Sequence, residues 1–212
     1  MDSEMKRKVI HIGNGFWAFS LAFLSRPIAL IVIIVALFLV LVIFRPTVWN
    51  RVFEAMARPR DYELGVLIGP SLYIVVVFLV VLLFDFRIAA AAFAMLAFGD
   101  GLATVIGTKL GKVKTRSGKT WEGFAAFVVF GSIFTSLAFL VVDIFNDGKA
   151  GWALIPDLIL NDIPDYPVVL VLILGISVIA GLAELYFGQY LDDNILVPLI
   201  CVFGLFIPLM MF

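Results

Sequence analysis

Charge is scarce in this chain. Only 15% of its 212 residues are Asp, Glu, Lys or Arg, and acids and bases nearly cancel to a formal net charge of −1. A nucleic-acid-binding domain needs a basic excess to neutralise phosphates, so that partner is excluded. Cysteine is scarcer still: Cys201 stands alone in an apolar run, which rules out an intrachain disulfide. Strand-like alternation and internal repeats are also missing, so neither competes with a helical reading.

What the chain has in abundance is apolar surface, with 63% hydrophobic and 14% aromatic residues. A soluble core of this size cannot hide so much, and the solvent must largely be lipid. The expected fold is all-α, a polytopic transmembrane helical bundle forming one integral-membrane domain over residues 1–212. Spans of about 17 to 25 residues, the length set by a bilayer core of about 30 Å, occur about seven times. They run from Ile10 to Ser25, Pro27 to Phe44, Leu64 to Phe84, Phe86 to Gly107, Thr120 to Phe145, Pro167 to Leu185 and Ile195 to Phe212. The first is short and ends at Arg26-Pro27, so a re-entrant or interfacial helix is its alternative. The run from Phe16 to Leu24 follows Lys6, Arg7 and Lys8 but has no small-x-small site after it, so cleavage as a signal is not expected.

Twelve of the fifteen Lys and Arg residues fall on one side of these spans: Lys6, Arg7 and Lys8, then Arg45, Arg51, Arg58 and Arg60, then five between Lys109 and Lys119. The positive-inside rule puts that side, and the N-terminus, in the cytoplasm. The expected location is a prokaryotic plasma membrane or an internal membrane such as the endoplasmic reticulum. Between the second and third spans, Trp49, Val52, Phe53 and Met56 recur at helical spacing, which predicts an interfacial helix among lipid headgroups. The connection from Asn146 to Tyr166 is acidic and Pro/Gly-rich and is assigned no chemistry.

The charges inside the apolar runs carry the functional signal. From Ala89 to Phe127 a small-residue run bearing Asp100 is followed by Lys109, Lys112, Lys114, Arg116 and Lys119, and then by a second run opened by Glu122. An ionised side chain at the centre of a membrane helix costs about 2.5 to 3.5 kcal/mol on insertion scales, which makes such acids site candidates. Carboxylates beside ammonium groups suit a polyphosphate carrying a divalent metal. Arg7, His11 and Asn14 or Gly15 share one helical face, and Gly99, Ala103 and Gly107 form a row that lets another backbone approach. Ser177, Gly181, Glu184 and Gly188 form a third face leading to Asp192, Asp193 and Asn194, where the two aspartates could instead cap the last helix. The tetrapeptide Ser117-Gly118-Lys119-Thr120 is not a P-loop, since Val113 stands where the first glycine belongs and no strand precedes it.

Several of these runs together resemble a known family. Arg7-Lys8-Val9-Ile10-His11-Ile12-Gly13, Phe98-Gly99-Asp100-Gly101, Gly118-Lys119-Thr120-Trp121-Glu122-Gly123, and Glu184 with Leu191-Asp192-Asp193-Asn194 before Pro198 resemble the polyprenol kinase group. That group includes dolichol kinase, phytol kinase and a CTP-dependent diacylglycerol kinase. The resemblance implies CTP as donor, Mg2+ or Mn2+, and a long-chain alcohol that enters from the bilayer and leaves as its monophosphate. It implies catalytic roles for Asp100, Lys119, Glu122, Asp193 and His11, and a metal held among Asp100, Glu122, Glu184, Asp192 and Asp193. Arg7, Lys8, Gly101, Lys112, Gly118, Lys119, Thr120 and Asn194 would contact the nucleotide. The segment Lys119-Thr120-Trp121-Glu122-Gly123 is similar also to CDP-diacylglycerol synthases, the alternative reading, although the C-terminal Lys-Asp and His-Gly-Gly signature of those enzymes is lacking. An ion-coupled transporter is the third reading, and the almost wholly apolar outer halves of the spans argue against its cation path.

Overall fold

The computed structural model describes residues 3–115, 117–146, 148, 165–188 and 190–211. Ten helices occur among them: α1 Ser3–Asn14, α2 Trp17–Ser20, α3 Arg26–Ile43, α4 Asn50–Met56, α5 Pro59–Leu64, α6 Ile68–Leu83, α7 Phe86–Leu110, α8 Trp121–Asn146, α9 Tyr166–Phe187 and α10 Asp193–Leu209. The described residues form no strand, only one antiparallel bridge between Lys114 and Thr120. Arg116, Phe212 and most of the acidic connection, from Lys149 to Pro164 with Asp147, lie outside the described residues.

Four helices are long and apolar enough to cross a membrane, namely α3, α7, α8 and α9, and each coincides with an expected span. Two further expected spans are shorter apolar helices, α6 with 16 residues and α10 with 17. At 1.5 Å rise per residue these reach about 24 and 26 Å. The expected start of the third span at Leu64 is displaced because Gly65 takes a left-handed φ of 65° and ends α5 there. Asp61, buried below it, accepts the amides of Arg58 at 2.8 Å and Ile68 at 3.0 Å and so fixes the corner into α6.

The expected first span is not one helix. Its first part belongs to the polar-starting α1, which ends at Asn14, and α2 is a separate single turn. Gly15 between them packs on α7 so closely that a Cβ there would lie 2.7 Å from the Ala97 Cβ. One apolar run in the sequence is thus two short packed pieces in the structure. The predicted interfacial helix is likewise divided, into α4 and α5 at Arg58-Pro59, since Pro cannot continue a helix interior. Phe53 is buried with Val40, Ala57 and Leu67, so the apolar face of α4 packs on the bundle, while Trp49 is half exposed.

Helix α7 is the axis of the bundle. Ile88 through Leu96 are all fully buried, and four consecutive alanines let neighbours close in from every side. Where α7 meets α8 the backbones nearly touch: a Cβ on Gly123 would lie 3.0 Å from the Ala103 carbonyl oxygen, and one on Gly107 would lie 2.8 Å from Thr120 Oγ1. By contrast α3 faces outward, with Ile28, Ile31, Ile34, Val35 and Phe38 exposed along it. One end of the bundle is fastened by structural polar groups. Arg26, fully buried, donates to the carbonyls of Val81 and Phe84 at the end of α6 and stacks over the Phe86 ring. Arg87 bridges Asp85 and Asp143, and Asn146 donates to the Leu21 carbonyl at 2.7 Å. Asp100 lies 13 residues beyond Arg87 on α7, about 20 Å along the axis, toward the other end.

Candidate active site

The site begins with a distortion in the axial helix. Over Met95–Asp100 the turns of α7 widen to π-helix before regular α-helix resumes at Gly101. Such insertions are rare and concentrate at functional positions. This one ends on Asp100, whose carboxylate is almost completely buried. Its compensating charge comes from α1: Lys8 Nζ lies 2.6 Å from Asp100 Oδ2. His11, one turn further along α1, has Nε2 3.3 Å from the Leu96 carbonyl and 3.7 Å from the same Asp100 oxygen. Burial lowers the His11 pKa below the usual 6.5, the Asp100 carboxylate opposes that, Lys8 adds to it, and the net shift is downward.

Opposite Asp100, the basic connection folds back as a tight turn. Trp121 donates its amide to the Val113 carbonyl at 3.1 Å, Thr115 donates to Lys119 at 2.7 Å, and Gly118 supplies the left-handed φ of 82° that closes the reversal. Ser117 Oγ donates to the Leu185 carbonyl at 2.6 Å and ties the turn to the end of α9. Of the lysines on this connection the turn aims Lys119 inward. Its ammonium lies 2.6 Å from Glu184 Oε1 and 3.4 Å from Asp193 Oδ2. Burial pulls the Lys119 pKa down, but Glu184, Asp193 and Asp100 outweigh it, so the pKa is raised and the ammonium stays charged. Gly188 leaves room for this contact, because a Cβ there would lie 2.7 Å from Lys119 Nζ and 2.8 Å from Asp193 Oδ1.

Three helices thus deliver three carboxylates to one point. Oxygens of Asp100, Glu184 and Asp193 all lie within 4.8 Å of one another. Asp100 Oδ1 and Asp193 Oδ1 are buried with no hydrogen-bond partner among the described residues. Buried carboxylate oxygens normally have partners, and three convergent ones with two left over fit a hard divalent cation such as Mg2+.

The cluster opens into a cavity of about 650 Å³ whose polar wall includes Arg7, Lys8, His11, Asp100, Lys119, Asp193 and Asn194, with Asn14, Arg58 and Thr104 beside them. Its remaining length is apolar, running between α3 and α6 with Ile33, Ala36, Val40, Ile74 and Val77, while Val52 and Met56 of α4 contribute at one side. Tyr73 lines the same cavity, is 9% exposed, and its hydroxyl is buried with no partner among the described residues. Sequence reading missed it, although Tyr73 and Ser71 are the two polar side chains of α6, and the Ser71 hydroxyl is satisfied by the Leu67 carbonyl at 2.6 Å.

Other residues singled out from the sequence take different places. Glu122 is not in the carboxylate cluster; its oxygen faces the Val113 amide at 3.4 Å, inside the basic turn. Asp192 also stands apart, capping α10 through Asn194, with amide and side-chain distances of 3.0 and 2.8 Å, and lying 3.7 Å from Arg58. The adjacent aspartates therefore divide the two roles open to them, Asp192 capping and Asp193 facing Lys119. Thr120 Oγ1 accepts the Gly123 amide and caps α8, Gly101 packs against Ile12, and Lys112 is exposed.

No protein-family profile matches the chain, and no solved structure matches it. A stretch of 73 residues is 33% identical to a protein of Triticum aestivum named "Probable phytol kinase, chloroplastic", covering 32% of this chain and 24% of that protein. Its name describes a lipid-alcohol kinase, and this chain spans less than a quarter of its length.

Proposed function

We propose that this protein is a membrane-embedded lipid-alcohol kinase that transfers the γ-phosphate of CTP to a long-chain alcohol of the polyprenol, dolichol or phytol type. One observation carries the reading: the carboxylate and lysine cluster and an apolar trough are two ends of a single cavity. A charged donor and an apolar acceptor can meet there without either crossing the other's solvent. The likeness to a phytol kinase supports the same class of acceptor.

In this reading Asp100, Glu184 and Asp193 hold Mg2+ or Mn2+, which when bound offsets triphosphate charge and polarises the phosphoryl oxygens. Lys119 and Lys8 neutralise charge that builds on the transferred group, and Arg7 and Asn194, on the same wall, contact the nucleotide. The acceptor oxygen forms a bond to the γ phosphorus, the bond from that phosphorus to the β–γ bridging oxygen breaks, and CDP leaves. The hydroxyl proton passes to Asp193, whose side chain is 24% exposed against 4% and 6% for Asp100 and Glu184 and can pass it on to water. His11 orients the Asp100 carboxylate from the side. Glu122 and Asp192 act at one remove, the first holding the basic turn and the second the start of α10. The basic connections face the cytoplasm, where the nucleotide is.

Purified protein in lipid nanodiscs, given CTP, Mg2+ and a panel of lipid alcohols, should yield lipid monophosphate and CDP, read by mass. CDP-lipid formed from a lipid phosphate, with no alcohol phosphorylated, would instead identify a cytidylyltransferase.

A further inference from the structure

The apolar part of the cavity holds one polar group that nothing in the reaction above uses. Gly69, Tyr73 and Val77 recur at i, i+4 and i+8 on α6 and face Ile33, Ala36 and Val40 of α3 across the trough. Tyr73 is the only one of the six with a polar side chain. Its ring meets the His11 ring edge-on at 5.5 Å between centroids, and His11 in turn lies 3.7 Å from Asp100. The orphaned hydroxyl therefore stands where the apolar trough meets the charged cluster. A buried hydroxyl without a partner is unfavourable, and a ligand oxygen at that boundary would relieve it. The outer wall is open too. Val32 and Leu39 of α3 both line the cavity and are 41% and 37% exposed, so the trough communicates sideways with the surroundings of α3.

We infer that the trough between α3 and α6 is the acceptor site, that Tyr73 hydrogen-bonds the acceptor's hydroxyl, and that the acceptor's chain leaves past Val32 and Leu39 into the bilayer. The ligand class that follows is an uncharged alcohol with a long apolar chain. Its first units are read by the trough and its far end is not, so chains longer than the cavity are accepted. This deepens the kinase reading and rests on it for the fate of the hydroxyl, but binding itself needs no nucleotide.

The test is photo-crosslinking of the whole protein in nanodiscs with an isoprenoid alcohol bearing a diazirine near its hydroxyl, mapped by peptide mass spectrometry, beside steady-state kinetics. Crosslinks should fall on Ile33, Ala36, Val40 and Val77, and Ala36→Trp, which fills the trough, should abolish them. Tyr73→Phe removes an oxygen that has no partner among the described residues, so thermal unfolding should not change. That variant should raise KM for the alcohol about tenfold, the value of one hydrogen bond, and leave KM for CTP alone. Crosslinks on other helices, or an unchanged alcohol KM in Tyr73→Phe, would overturn the site even if the protein proves to be a kinase. Trough crosslinks lost in Ala36→Trp, together with no phosphorylation of the bound alcohol by any nucleotide, would uphold the site and overturn the kinase reading.

Discussion

Lys8 and Asp100 are 92 residues apart in the chain and 2.6 Å apart in space, so α1 neutralises the acid at the centre of the axial helix. Breaking one side of a buried pair is far worse than removing both, at about 3 to 5 kcal/mol, because the remaining charge is stranded. Lys8→Met should therefore lower thermal stability markedly, and the double variant Lys8→Met with Asp100→Asn should recover most of it. Turnover should be lost in both, and in Asp100→Asn alone, where Lys8 can still reach water. Asp100→Asn with near-normal turnover would reduce the pair to packing.

Lys119 and Lys112 look equivalent in the sequence and are not in the structure. The turn closed by Gly118 sends Lys119 to Glu184 and Asp193 and leaves Lys112 exposed. Lys119→Met should lower kcat by about a hundredfold or more, as loss of a transition-state donor does. Lys112→Met, a surface change, should stay within about twofold. Equal losses in the two would return both lysines to a diffuse basic patch.

The metal assignment separates two glutamates in the same way. Chelation with EDTA should abolish turnover and added Mg2+ should restore it. Glu184→Gln should raise the Mg2+ concentration needed for half activity by about tenfold or more, while Glu122→Gln, held on the Val113 amide, should leave that concentration unchanged. The reverse pattern would move the metal to the basic turn.

How far the sequence carried these assignments depends on what each signal measures. Asp100, Glu184 and Asp193 were all visible as acids in apolar surroundings, because the cost of burying charge is a local property that spacing displays. Their neighbours Glu122 and Asp192 carry the same signal, and only the turn geometry and the α10 cap tell them apart. The close α7–α8 packing was legible as small residues at Gly99, Ala103 and Gly107. The first span was not, since an apolar run of the right length says nothing of the packed break at Gly15. Tyr73 was invisible because its importance comes from α1 and α3 being beside it, which no local pattern encodes.

Orientation has a direct check. In a Cys201→Ala background, which removes a buried thiol, a cysteine at Lys112 should react with an impermeant maleimide only from the cytoplasmic side, and one at Gly148 only from outside. Labelling of the Lys112 position from outside would take the cluster away from cytoplasmic nucleotide.

The central claim is which phosphorus of the nucleotide is attacked. Purified protein in nanodiscs with a polyprenol and CTP labelled at the γ position should place the label in the lipid, and CTP labelled at the α position should leave it in CDP. Label from the α position entering the lipid when a lipid phosphate is supplied, with γ label released only as pyrophosphate, would contradict the kinase account.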